Sequence, residues 1–470
     1  MKMAIRSAGT VALVAASAFM VGLGCGDNGA PKDPTTFLEP AAQRNGDAVT
    51  GYQYLIYGDY VSSGLPLATY RAARGTSTED LQRTGDSAGI RYDYNVIERN
   101  GIKMAVPQCL NCHAQKLFGQ IVVGLGDATV DFVGSQRTTV LAADAYLKDK
   151  HGEASPTYQA FLPFKQGSLA IADEITTDVR GVNSANKLFA VLAAHRDPVT
   201  LAWTETPNTV IPAGVFAADV PAWWHLKKKH ALYAGGIGQG DFGRLSSASG
   251  MLTLRTIDYA ASEDAKFPDL MAWIRTIEAP NYPFPVNAAL AQSGAAVFAT
   301  HCERCHGTYA ATAQATDTYP NLLVDLDYVG TDGAMVESYA TQPEFLDWYN
   351  LSWYATGANK ANLIYNHGYV APPLDGIWAT APYLHNASVP SLETLLNSQT
   401  RPTFWKRSFG TEITDYDQAA VGWKYQTPTA QLDSETYDTT KWSYGNGGHT
   451  FGDVMTADER AAVIEYLKTL

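Results

Sequence analysis

Four of the five cysteines in this 470-residue chain fall into two copies of one pattern, Cys109-Leu110-Asn111-Cys112-His113 and Cys302-Glu303-Arg304-Cys305-His306. In C-x-x-C-H, two thiols can add to the vinyl groups on one edge of a porphyrin, and the adjacent His then lies beneath the iron as its proximal ligand. A redox disulfide or a zinc pair has no need of His directly after the second Cys. The spacing therefore predicts two covalently bound haem c groups, attached at Cys109 and Cys112 and at Cys302 and Cys305, with His113 and His306 as metal ligands. No Ser-His-Asp set and no nucleotide loop competes with that chemistry.

Other residues could join it. His449 ends a Gly-rich stretch, Gly445-Asn446-Gly447-Gly448-His449, where a histidine is ordinarily a solvated turn residue. His385 and His367 are further candidates for an axial position, whereas His151, His195, His225 and His230 read as structural or surface residues. Trp223 and Trp224 are core packing or, as indoles between two haems, an electron relay. Lys227, Lys228 and Lys229 form a short basic run, either a solvated face or partners for haem propionates.

The background fits a soluble, exported chain. Hydrophobic residues make up 46% and charged residues 17%, too apolar for a disordered protein. A formal net charge of −13 argues against nucleic acid as a partner, since phosphates demand clustered Lys and Arg. Basic Lys2 and Arg6, the apolar run from Val11 to Leu23 and small residues before Cys25 read as a signal peptide, 1–24. Gly22-Leu23-Gly24-Cys25 is similar to a bacterial lipoprotein cleavage site, which would leave a lipid on Cys25, and 25–48 reads as a flexible tether. The expected address is the periplasm, an outer-membrane lipid anchor, or secretion. Membrane contact is expected only through that anchor, because no later segment reaches the roughly 18 apolar residues of a spanning helix.

Two domains are expected around the motifs, 49–285 and 286–470. In the second, Ala289, Leu290, Gly294, Val297 and Phe298 recur at helical spacing and run straight into Cys302. Thr456 caps a final helix with Asp458 and Glu459 in its first turn. A helix entering the motif and a C-terminal helix resemble class I cytochrome c, where those two helices cross. The first motif instead follows an extended stretch, Ile102–Pro107, with helices expected later at Ala185–Ala194 and Asp269–Ile277. Residues 410–450 show no sustained period and read as a long functional loop. The fold class expected is mainly α, two cytochrome-c-like haem domains with long loops and little β.

Three segments together resemble the bacterial di-haem cytochrome c peroxidase superfamily: Pro373 to Asn386, Val220 to Lys229, and Gly448-His449-Thr450-Phe451-Gly452. Within it the haem-dependent rubber oxygenases look most similar. The resemblance implies a reactive N-terminal haem on His113 with an open face, a C-terminal haem held by His306 and His449, and catalytic roles for Trp223 or Trp224. It implies an oxidoreductase in which haem 1 activates peroxide or dioxygen and haem 2 relays electrons. The alternatives are a pure electron carrier and a rubber-type dioxygenase acting on polyisoprenoid. The partners implied are a small redox protein or dye-like donor, with peroxide, dioxygen or an apolar organic molecule as substrate. Calcium, which some relatives hold between their domains, is a further cofactor raised by the resemblance alone.

Overall fold

The computed structural model describes residues 33–310 and 316–470, so the signal peptide and Cys25 lie outside the described residues. The first motif is framed by β-hairpins. Tyr94–Arg99 pairs antiparallel with Ile102–Pro107, from Tyr94 against Pro107 to Arg99 against Ile102. The turn works because Asn100 and Gly101 both adopt positive φ, 50° and 78°, which matches the twist of the strands they join. Directly after His113, Ala114–Leu117 pairs with Gln120–Val123 through a second turn at Phe118 and Gly119. Helix Ala48–Tyr57, capped by the Asp47 carboxylate on the Thr50 N–H, crosses helix Phe267–Ile274 at Gly51. A Cβ at Gly51 would sit 1.9 Å from the Asp269 carbonyl oxygen, so only glycine permits that approach.

Around the second motif the expected helices are present. Ala288–His301, capped by Asn287, delivers the chain to Cys302, and Ala457–Leu467 begins with a reciprocal Thr456–Glu459 capping box. They cross at Gly294, where a Cβ would lie 1.9 Å from the Ala462 carbonyl oxygen, and Phe298 meets Tyr466 at 5.2 Å. Ala185–Ala194 is also helical.

The expectation of a mainly α fold with little β is corrected. The structure is 37% helix and 14% strand, a mixed α/β architecture with three three-stranded and three two-stranded sheets among the described residues. Most of these strands are two to four residues long and pair across wide sequence separations. Leu322–Asp325, for example, lies between Thr35–Phe37 and Gly368–Val370. Strands this short carry too little alternation to be read from the chain. Within 410–450, four short strands appear: Tyr416–Asp417, Gly422–Trp423, Tyr425–Gln426 and Thr436–Asp438.

Residues 35–48, expected within the flexible tether, are tied down. Beyond the strand at Thr35–Phe37, the Arg44 guanidinium pairs with Asp241 at 2.7 Å and Asp264 at 2.8 Å, both carboxylates being nearly inaccessible. The two largest cores draw on both sides of residue 285. One joins Leu55, Met104, Leu110 and Trp223 to Met335, Tyr339, Trp348, Tyr349 and Leu363. The other joins Leu117, Leu125 and Trp224 to Phe298, Trp378 and Val463. Each such large side chain contributes roughly 1.5–3 kcal/mol by burial, so these contacts are a substantial part of what holds 35–470 as one compact unit.

Candidate functional site

Both C-x-x-C-H segments fold into the same tight turn. The Cys112 N–H donates to the Cys109 carbonyl at 3.2 Å and the His113 N–H to the same oxygen at 3.0 Å. Cys305 and His306 repeat this on the Cys302 carbonyl at 3.1 and 3.0 Å. No disulfide joins any of the four cysteines. Burial pushes the Cys109 and Cys112 thiols up to about 11 and Cys302 up to about 12, so these are protonated sulfurs and not the exposed, low-pKa thiolates of a redox pair.

The second motif has a partner opposite it. His306 donates Nδ1–H to the Pro372 carbonyl at 2.8 Å, which fixes the tautomer and leaves Nε2 as a ligand atom. The ring of His449 faces it with centroids 6.2 Å apart and planes at 61°. Two imidazoles on one metal, each bonded at about 2 Å, have centroids separated by roughly 6 Å. The Nδ1 of His449 is buried without a hydrogen-bond partner, and burial, followed by His306 and Arg401, pulls its pKa down to about 3, which favours the neutral ring, the form able to bind a metal. These residues fit a haem c held between two histidines.

Residues 368–406, which run through Pro372 and end beside the His449 loop, match the family described as RoxA-like, cytochrome c-like. A cytochrome c-like domain implies covalently bound haem c, and the match points to a haem oxidoreductase. Two relatives from Sinorhizobium fredii (strain NBRC 101917 / NGR234) are similar in part. The uncharacterized protein y4iJ is 29% identical over 246 residues, 39% of this chain and 39% of its own length. The uncharacterized protein y4iM is 36% identical over 121 residues, 22% of this chain and 27% of its own. The match thus spans well under half the length of either relative.

At the first motif the surroundings differ. The His113 ring stacks on Trp223, centroids 4.7 Å apart and planes at 23°, and burial lowers it to about 4 against the opposing pull of the Pro221 carbonyl. Among the described residues no histidine ring stands to His113 as His449 stands to His306. A neutral buried imidazole set against a carbonyl and the face of Trp223 fits a metal ligand.

The matched segment also joins the two sites. Trp224 donates its indole N–H to the Asp375 carbonyl at 2.8 Å, and the His225 Nε2 reaches the same oxygen at 2.9 Å. Three residues earlier on that strap, Pro372 holds His306. The adjacent tryptophans therefore have different partners: Trp223 touches His113, and Trp224 touches the strap whose Pro372 carbonyl holds His306. Lys227 pairs with Glu278, and Lys228 with Asp317 and Asp375, whereas Lys229 makes no ion pair among the described residues and burial lowers it to about 8.

His385 stacks on Tyr369 at 3.9 Å and makes no ring contact with His306. His367 lies at the surface beside Asp325 and Asp327. Among residues the sequence did not single out, Pro372 and Asp375 supply the carbonyls of the strap, Asn183 donates to the Cys112 sulfur at 3.4 Å, and Arg401 contacts the His449 loop. Carbonyl contacts leave no mark in residue types, so only the double proline at Pro372-Pro373 signalled an extended segment.

His225 gives a pH test. Burial lowers its pKa to about 4, below the roughly 6.5 of an unfolded His, so between those values the unfolded chain binds a proton that the native chain refuses. Stability is then lost as pH falls through that window, by up to about 1.4 kcal/mol per pH unit for this group. His225→Gln is expected to flatten that slope in unfolding curves taken from pH 6.5 to 4.5.

Proposed function

We propose that this protein is an exported di-haem c-type oxidoreductase, with a reactive haem on Cys109, Cys112 and His113 and an electron-relaying haem on Cys302, Cys305, His306 and His449. The observation that carries the proposal is the asymmetry of the two histidines: His306 has an imidazole opposite it at 6.2 Å, and His113 has a stacked tryptophan. Haem c supplies one-electron transfer and, where an axial position is open, activation of peroxide or dioxygen. The chain's residues contribute the rest. His306 and His449 keep small molecules off the second site, and the Pro372 carbonyl fixes the His306 ring. Trp223 and Trp224, the pair on the route from His113 to the strap, relay electrons between sites.

Export and a lipid on Cys25 are supported by the N-terminal sequence, and no helix among the described residues is long and apolar enough to cross a membrane.

The decisive measurement is haem stoichiometry in a periplasmic preparation. Two haems per chain are expected by pyridine haemochrome, resistant to acid acetone, and the Cys302 and Cys305 double substitution should leave one. A single haem in the unaltered protein, or extractable haem, would overturn the di-haem reading. Reaction class follows from peroxide turnover with a reduced cytochrome or dye, against oxygen uptake with an apolar alkene. If neither occurs and neither iron binds cyanide, the protein is an electron carrier.

A further inference from the structure

The loop that carries His449 is gripped on two sides, and one of the grips is chemically unusual. On the first side, the His449 N–H donates to the Val329 carbonyl at 2.7 Å, and the Gly445 N–H donates to the Asp332 carboxylate at 3.0 Å. Gly448, with φ of 69°, lies so close to this turn that a Cβ would fall 2.1 Å from the Gly330 carbonyl carbon. His449 itself has φ of 45°, a left-handed backbone that a non-glycine residue keeps only when its surroundings enforce it.

On the second side stands Arg401. Its Nη1 donates to the carbonyls of Asn446 at 2.7 Å and Gly448 at 2.6 Å, and its Nη2 to the carbonyls of His449 at 3.1 Å and Leu395 at 3.0 Å. The Nε–H goes to the Thr394 carbonyl at 3.1 Å. A guanidinium has five N–H donors in a fixed plane, and here each has a backbone carbonyl. Thr394 and Leu395 belong to the helix Leu392–Leu396, whose last carbonyls have no partner within the helix. One rigid side chain thus ties a helix end to three carbonyls of the ligand loop.

We propose that Arg401 is the positioning residue of the second haem site: by holding the carbonyls of Asn446, Gly448 and His449 it keeps the His449 imidazole opposite His306. The proposal rests on the reading of His449 as an axial ligand. Arg401 touches neither the iron nor a substrate in this role and acts only through the loop. Lysine could not replace it, because an ammonium has three donors on a flexible stem and cannot span the same five carbonyls.

The test uses the full-length holoprotein and three variants, Arg401→Gln, Arg401→Lys and His449→Ala, read by visible and electron paramagnetic resonance spectra. Arg401→Gln is expected to keep both haems covalently bound, to show a high-spin fraction at the second haem, and to bind cyanide there at least tenfold faster than the unaltered protein. Added imidazole should restore the low-spin spectrum, and a denaturant midpoint close to that of the unaltered protein separates this from a general loosening of the fold. Arg401→Lys, which keeps the charge and the bulk, is expected to fall between the two and provides the same readout if Arg401→Gln does not accumulate. If His449→Ala becomes high-spin while both Arg401 variants stay fully low-spin with unchanged cyanide kinetics, the positioning role is wrong and the ligand reading stands. If His449→Ala remains low-spin, the ligand reading itself fails, and this proposal with it.

Discussion

Replacing His449 with alanine is expected to leave the second haem attached and to convert it from low-spin to high-spin in essentially every molecule. In the proposed di-haem reading attachment rests on thioethers at Cys302 and Cys305, and their turn is held by bonds to the Cys302 carbonyl that the substitution does not touch. In that reading the sixth position depends on the ring of His449, which faces His306 at 6.2 Å. Among the described residues no other imidazole makes ring contact with His306, and His385 is engaged in its stack on Tyr369. The change is read in the Soret and charge-transfer bands and in the resonance spectrum at g values of a high-spin ferric centre. An unchanged spectrum, together with a changed one for His385→Ala, would assign the position to His385.

The second large effect is structural. Gly294→Val is expected to cost at least about 3 kcal/mol, at the upper end of overpacking penalties. Its Cβ alone would stand 1.9 Å from the Ala462 carbonyl oxygen, and a backbone wall cannot rotate aside as a side chain can. The helices Ala288–His301 and Ala457–Leu467 would have to part, pulling Phe298 from Tyr466 and opening the core that contains Val463 and Trp378. Ser293→Ala, one position earlier and on the exposed face, should stay within about 0.5 kcal/mol. Denaturant midpoints of the two variants decide the matter, and equal midpoints would mean the crossing is not that close.

What could be read from the chain was what local chemistry enforces. The C-x-x-C-H turns, the helix running into Cys302 and the Thr456 cap are each set by residues within a few positions of one another. Ile102–Pro107 was legible as extended, and the Asn100-Gly101 turn that makes it a hairpin stood beside it in the sequence. What escaped depends on partners far along the chain. The strand Thr35–Phe37 exists because Leu322–Asp325 offers an edge, and Arg44 is fixed by carboxylates some two hundred residues later. Both were read as tether because they follow the polar, turn-rich stretch 26–34. Arg401 looked like any loop arginine, since its five acceptors are carbonyls. His449 was reached through resemblance, and no spacing rule would have singled it out. Which of Trp223 and Trp224 does what required three dimensions, because neighbours in sequence point to different partners.

The core that crosses residue 285 has a meaning for biogenesis. Residues 334–363 supply Met335, Tyr339, Trp348 and Tyr349 to the core around Leu110, yet they are synthesised long after Cys109 and Cys112. A chain emerging from its N-terminus holds the first motif in a half-built chamber, with the thiols open to whatever machinery delivers haem. At the second motif, His449 and the final helix also arrive after Cys305. In the proposed di-haem reading, haem delivered before these segments close would meet open thiols at both motifs, whereas the finished fold leaves those sulfurs only partly exposed. Expression in cells short of haem should accordingly accumulate protein that later haem cannot rescue.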